Sequence, residues 1–305
     1  MSTEISRLRS EYHAIIRDRI IRITPGGANS NGYPNFADGS SLTSINAAWG
    51  IYNRLRLSNT SIVDRISQQT RGSKFEDATR TFLEESFSLL HHLRPGRWRY
   101  DIKREISQFE QYRHLADLDR LLAQVNHLAD SDPLLARVSS VKSMFQASQD
   151  YIIKPDIVIA RLPVSDDDIN QQATLVDTAD PLVTHTMLRA HNNPRHPILH
   201  ASISCKWTIR SDRTQNARTE ALNLMRNRKG HLPHIVAVTA EPLPTRIASL
   251  ALGTGDLDCV YHFALPELRD SLIELNNLDQ LDILETMING MRLRDISDLP
   301  FDLAV

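Results

Sequence analysis

Four runs in the second half of the chain constrain its fold more than any other feature: "YIIKPDIVIARLPV", "ILHASISCKWTI", "HIVAVTA" and "LDCVYHFAL". In the first, Pro155 forbids a helix interior, and Ile157, Val158 and Ile159 favour a strand. The second alternates, with Ile203, Cys205 and Trp207 on one face and Ser202, Ser204, Lys206 and Thr208 on the other. The third is apolar throughout, as a strand covered on both sides must be. Helical patterns separate them: "RTQNARTEALNLMRNRKG", with Gly230 as its stop signal, then "TRIASLAL", then helices through residue 290. Such alternation predicts an α/β sandwich. Residues 162–196 read as an irregular polar excursion.

The first half is helical in pattern. Residues 1–22 and 44–58 read as helices, and "TPGGANSNGYPNFADGSS" between them must be loop. In "GSKFEDATRTFLEESFSLLHHL" the residues Phe75, Ala78, Phe82 and Leu89 recur at helical spacing, and "RPG" ends the run. Two more helices are expected at roughly 104–127 and 132–148. No linker, repeat or low-complexity block divides the chain, so residues 1–305 are expected to form a single domain.

Composition narrows the setting. No apolar run is long enough to cross a bilayer, and "MSTEISRLRSEYHAIIRDRI" lacks the apolar core of a signal peptide, so no membrane role is expected. Cys205 and Cys259 could form at most one bridge, which points to a reducing, cytoplasmic setting. A net charge of -2 argues against a generally sticky DNA binder. Between Ser204 and Gly230, however, seven Lys and Arg face two acids, a stripe that suits either a solvated helix face or a phosphate-bearing partner.

A lysine in mid-strand needs an acid to offset its desolvation. Asp156 is a natural neighbour of Lys206 if their strands pair, and Glu220 could point back from the following helix. Two carboxylates beside a lysine can hold Mg²⁺ through hard oxygen ligands, or can form a purely structural ion-pair cluster. Four histidines in or beside the excursion, His185, His191, His196 and His200, fit no standard zinc spacing. At the strand-to-helix junction stand Arg210, Asp212 and Arg213. Arginine pairs bidentately with guanine and aspartate accepts from cytosine N4, so these types could read adjacent G·C pairs. They would equally make an Arg–Asp bridge capping the helix.

"PD" at Pro155–Asp156, "SCK" at Ser204–Cys205–Lys206 and the later Glu220 resemble the PD-(D/E)XK nuclease signature in its migrated form. With "LHASISCKWTIRSDRTQNARTEALNLMRNRKGHLPHIVAVTAEPLPTRI", "ALGTGDLDCVYHFAL" and "RDISDLPFDLAV", the chain is similar to the CCGG-recognising Type II restriction endonucleases. The resemblance implies a PD-(D/E)XK restriction-endonuclease-like α/β fold, a central mixed β-sheet flanked by helices. It implies catalytic Asp156, Lys206 and Glu220, Ser204 at the vacated acid position, and the Cys205 carbonyl as a metal ligand beside Asp156 and Glu220. Glu76, in "GSKFE", matches a helix-borne acid that holds a water. The implied cofactor is Mg²⁺.

The same resemblance assigns the central CCGG to Arg210, Asp212 and Arg213, one half per subunit. It assigns the outer G·C pair to Arg246 and Asp38 from the major groove, and a minor-groove contact to Gln69. The implied activity is a double-strand break at palindromic GCCGGC after the first G, leaving a four-base 5′ overhang. The implied partners are double-stranded DNA and further copies of the chain, as a dimer of dimers. A PD-(D/E)XK nuclease with a different outer base pair, and a non-catalytic DNA reader, remain the alternatives.

Overall fold

A computed structural model describes residues 3–28, 32–55, 67–116, 153–209, 211–253 and 255–305, apart from the side chains of Gln68 and 211–215. In chain order the described elements are α1 (Glu4–Arg19), β1 (Ile23–Thr24), β2 (Tyr33–Pro34), α2 (Leu42–Arg54), α3 (Gln68–Ser88), β3 (Trp98–Ile102) and β4 (Ile157–Arg161). There follow α4 (Asp166–Ile169), β5 (Ile198–Lys206), α5 (Ser211–Asn227), β6 (His234–Thr239), α6 (Pro244–Ala251) and β7 (Cys259–His262). The chain closes with α7 (Leu265–Glu274), α8 (Leu278–Asn289), β8 (Leu293–Asp295) and α9 (Leu299–Asp302). The result is a mixed α/β fold, as the alternating pattern predicts.

Two compact units emerge. One comprises residues 96–202 and 222–233, the other residues 1–95, 203–221 and 234–305. In the first, β3 pairs antiparallel with β4, Trp98 opposite Arg161 and Ile102 opposite Ile157. Ile157, Val158, Ile159 and Ala160 are fully buried, which is why the β4 sequence shows no polar alternation. In the second, β6, β7 and β8 run parallel, with Val236 opposite Cys259 and Val260 opposite Leu293. The long strand β5 runs through both, Ile198–Ser202 in the first and Ile203–Lys206 in the second.

Several expectations change. Inside the expected loop after α1, Ile23–Thr24 and Tyr33–Pro34 form a two-strand antiparallel ladder. From residue 104 the described segment makes two short 3₁₀ turns, Ile106–Gln108 and Glu110–Tyr112, where a long helix was expected. Gln111 explains the change: its side chain donates to Leu199 O at 2.7 Å and accepts from Leu199 N at 2.9 Å, so it serves as an extra rung on β5. The remainder of that helix and the one expected at 132–148 lie outside the described residues. Gly230 lies three residues beyond α5 with φ +76°, closing the following turn rather than capping the helix.

In the larger unit α1 buries Leu8, Tyr12, His13 and Ile16, and Tyr12 meets Thr79 of α3 through its hydroxyl at 3.0 Å. Helices α2 and α7 touch at Gly50, where an added Cβ would lie 1.8 Å from Ser271 Oγ. Arg9 forks onto two carboxylates, reaching Asp295 at 2.8 Å through Nε and Nη2, and Glu267 at 2.8 and 2.6 Å through Nη1 and Nη2. Burial opposes ionisation of Asp295 and Glu267, but the hydrogen bonds from Arg9 outweigh it and hold both carboxyls below their ordinary range. Asp295 also accepts the Leu265 N–H, tying the start of α7 to β8. Arg9→Ala should therefore cost about 3 kcal/mol at pH 7, since it strands two nearly buried carboxylates. Their folded pKa values are depressed, so this stability is present above about pH 4 and fades as pH falls through them. Urea unfolding of both proteins at pH 7 and pH 3.5 should show the gap shrinking in acid.

Candidate functional site

The end of β5 is fixed from its apolar side. Ile203 and Cys205 are buried, and Trp207 sits against Phe75, Phe36 and Phe263 with ring centroids 5.2, 5.9 and 6.3 Å away. Side chains alternate along a strand, so anchoring Trp207 sends Lys206 to the other face, half-buried. Phe75 leads directly into Glu76, which α3 carries in a buried position. On the Lys206 face, Ser202 and Ser204 are buried, and Ser204 Oγ has no hydrogen-bond partner among the described residues. Helix α5 buries Ala217, Ala221 and Leu224, which leaves Glu220 half-buried at the margin of that inner face.

Ser204, Cys205, Lys206, Glu220 and Glu76 thus belong to one compact unit. Asp156 belongs to the other, where it is half-buried just ahead of β4 and its carbonyl accepts the Lys103 N–H at 3.2 Å. Among the described residues no group of three or more His, Cys, Asp and Glu side chains is placed to hold a metal ion. Cys205 and Cys259 are both free and buried. Of the excursion histidines, His196 bonds the Gln108 carbonyl and His200 packs against Trp98 with ring centroids 4.8 Å apart and planes tilted by 58°. An open pocket of about 270 Å³ at the end of the β3–β4 pair is lined by Asp101, Lys103, Arg104, Glu105, Lys154 and their neighbours, none of them an expected site residue.

The expected outer-base residues do meet. Asp38 and Arg246, 208 positions apart, form a direct ion pair between Oδ2 and Nη2. The other carboxylate oxygen of Asp38 accepts from Ser40 N at 3.0 Å and Ser40 Oγ at 2.7 Å. Those bonds, with the Arg246 guanidinium, hold the Asp38 carboxyl down at about 2. Ser44 Oγ accepts the Asp38 N–H at 2.9 Å, fixing the turn to the first residues of α2. Gln69 is exposed in the first turn of α3. Asp212 and Arg213 fall in the first turn of α5 with side chains outside the description, and Arg210 lies outside the described residues.

One residue of this region escaped the sequence reading. Glu241 is fully buried just past β6, and its two oxygens are divided between two backbone donors. Oε2 accepts the Ile209 N–H at 2.9 Å, and Oε1 accepts the Leu243 N–H at 3.2 Å. Arg246 Nη1 stands 3.9 Å from Oε1. The Glu241 N–H donates to Thr239 Oγ1 at 3.1 Å, and that hydroxyl donates to Lys206 O at 2.8 Å. His262 Nδ1 accepts the Ala264 N–H at 3.1 Å, so the ring proton sits on Nε2 and is donated to the Glu241 carbonyl at 3.2 Å. Burial pushes His262 down to about 4, so the ring is neutral. The signal was a lone acid closing the apolar run "HIVAVTAEPLP".

Comparison with known proteins bears on this arrangement. The family described as NgoMIV restriction enzyme matches residues 12–305. The chain is 46% identical over 312 residues to the Type II restriction enzyme NgoMIV of Neisseria gonorrhoeae, with 100% of each chain covered.

Burial pushes Glu241 up to about 7 from an ordinary 4.5, against the two N–H bonds and Arg246, which favour its charge. Between those values the folded state holds a proton that the unfolded chain has released. The contribution of this group to stability is therefore full below pH 4.5 and is lost as pH rises through 7. Relative to Glu241→Gln, which does not titrate, the unfolding free energy of the native chain should decline from pH 5 to pH 8. Parallel profiles in denaturant titrations would contradict the assignment.

Proposed function

This chain belongs to the NgoMIV restriction enzyme family, and we propose that it makes double-strand breaks at the palindrome GCCGGC, after the first G. It is a Type II restriction endonuclease of the PD-(D/E)XK class, a hydrolase of DNA phosphodiesters. The observation that carries the proposed target is the Asp38–Arg246 pair. Arginine is the bidentate partner of guanine and an ionised aspartate accepts from cytosine N4, so the two together fit one G·C pair. Their contact keeps each charge satisfied until a base pair replaces it. In the proposal Arg210, Asp212 and Arg213 read the inner CCGG from the start of α5, and Gln69 reaches into the minor groove. Each good bidentate contact discriminates by about 1–3 kcal/mol, and two-fold symmetry repeats every one of them.

For the cut we propose Asp156, Glu220 and the Cys205 carbonyl as metal-holding oxygens, with Lys206, Ser204 and Glu76 beside them. An all-oxygen donor set suits Mg²⁺, and the unsatisfied, buried Ser204 Oγ is a polar atom ready for a water or ion. Mg²⁺, when bound, supplies charge neutralisation at the scissile phosphate. Lys206 orients the attacking water with its ammonium group, and Glu76 accepts a hydrogen bond from water in the site. In-line attack on phosphorus breaks the bond to the 3′ oxygen, leaving a 5′ phosphate on the overhang. We propose one nuclease domain, with both units sharing β5, acting on double-stranded DNA as a dimer of dimers in the cytoplasm. No described helix is long and apolar enough to cross a membrane.

Asp156→Ala and Lys206→Ala should each abolish Mg²⁺-dependent cleavage while keeping sequence-specific binding in Ca²⁺. Loss of binding along with cleavage would make either residue structural instead. Digestion of mapped plasmid DNA should give fragments ending at GCCGGC only. Cutting at ACCGGT with equal efficiency would remove the outer-pair assignment and leave the inner one standing.

A further inference from the structure

We infer that Glu241 is a positioning residue that locks the inner and outer base-reading elements into one register. The inference rests on the proposed base-reading roles of Arg210, Asp212, Arg213 and Arg246. Its warrant is the division of one buried carboxylate between two backbone segments. Oε2 holds the N–H of Ile209, the residue immediately before Arg210. Oε1 holds the N–H of Leu243, the residue immediately before Pro244 opens α6, which carries Arg246. The same oxygen lies 3.9 Å from the Arg246 guanidinium, whose other nitrogen grips Asp38. Glu241 touches no position assigned to DNA contact except Arg246, yet it spans both elements.

Glu241 is itself held by its own backbone. Its N–H is bound by Thr239 Oγ1 and its carbonyl by His262, so the side chain starts from a fixed origin. A carboxyl group suits the task because both oxygens can accept, the hydroxyl oxygen of the protonated form included. An amide has one acceptor oxygen and would turn its NH₂ toward the second N–H donor, leaving a buried donor unsatisfied. Burying a carboxylate is costly, and an ordinary loop would be closed more cheaply by an apolar residue. The cost is understandable if the two segments must keep a fixed separation matched to the spacing of base pairs.

The test compares the full-length native chain, Glu241→Gln and Arg246→Ala for binding in Ca²⁺ to three duplexes: GCCGGC, the outer-swapped ACCGGT and the inner-swapped GCATGC. Two ratios are read, outer and inner discrimination, together with affinity for a scrambled duplex and the urea midpoint. Arg246→Ala should lower only the outer ratio, by about tenfold or more. Glu241→Gln should lower both ratios by about tenfold while scrambled-duplex affinity stays within about twofold, since non-specific binding depends on phosphate contacts. An inner or outer ratio that stays at the native value in Glu241→Gln overturns the inference. So does an equal weakening on all duplexes, which marks a merely structural role. If Arg246→Ala leaves the outer ratio unchanged, the base-reading premise itself fails and the inference goes with it. Should Glu241→Gln not fold, Glu241→Asp keeps both acceptor oxygens but is one methylene too short to hold both N–H groups, and is read by the same criteria.

Discussion

The hydroxyl of Thr239 does two things at once, and the geometry of the functional region depends on both. It donates to the carbonyl of Lys206, fixing where β5 ends, and it accepts the N–H of Glu241, fixing where the loop after β6 begins. The Lys206 carbonyl takes a second bond, from Ala240 N at 3.2 Å. The strand that carries the lysine and the loop that carries the buried acid are thereby one hydrogen-bonded piece. Each such bond adds only about 1 kcal/mol net, but losing one inside this dry region would orphan a buried partner at a larger cost. The asymmetry makes the piece rigid rather than merely stable.

Around that piece the chain treats its carboxylates in three different ways. Asp38 is kept charged by hydroxyl, amide and guanidinium donors. Asp295 and Glu267 are kept charged by sharing a single arginine, and they work as structural cement between the first helix and the last strand. Glu241 receives two amides and only a distant guanidinium, so burial dominates and its proton is held to near neutrality. The differences follow from the number and charge of donors each site supplies, not from residue type.

The sequence revealed the fold where burial leaves an unambiguous trace. β4 and β6 are apolar throughout because both faces are covered, and β5 alternates up to Trp207 because its two faces do different work. β3 and β8 left weaker traces. In β3, Arg99 and Asp101 pair with each other at 2.8 Å, so a half-exposed strand reads as a charged loop. β8 is three residues long, and its buried Asp295 is tolerable only because Arg9 arrives from 286 positions away. The residues proposed for catalysis stood out because they lie in short words, "PD" and "SCK", that resemble a known signature. The Asp38–Arg246 contact and the role of Glu241 could not be derived from spacing. Both depend on contacts between segments far apart in the sequence, and a bond to a backbone N–H leaves no mark on the identity of the residue that donates it.

The close approach at Gly50 reaches further than its own helix pair. α2 begins four residues after Asp38, and Ser44 in its first turn binds the Asp38 backbone. The helix is therefore a rod with the Asp38 turn tied to one end and a hydrogen atom pressed against Ser271 toward the other. Widening that gap by a single methyl would swing the rod and carry Asp38 away from its partner. The aim of the Asp38–Arg246 pair is set, in part, by an absence of side chain on the far side of the helix.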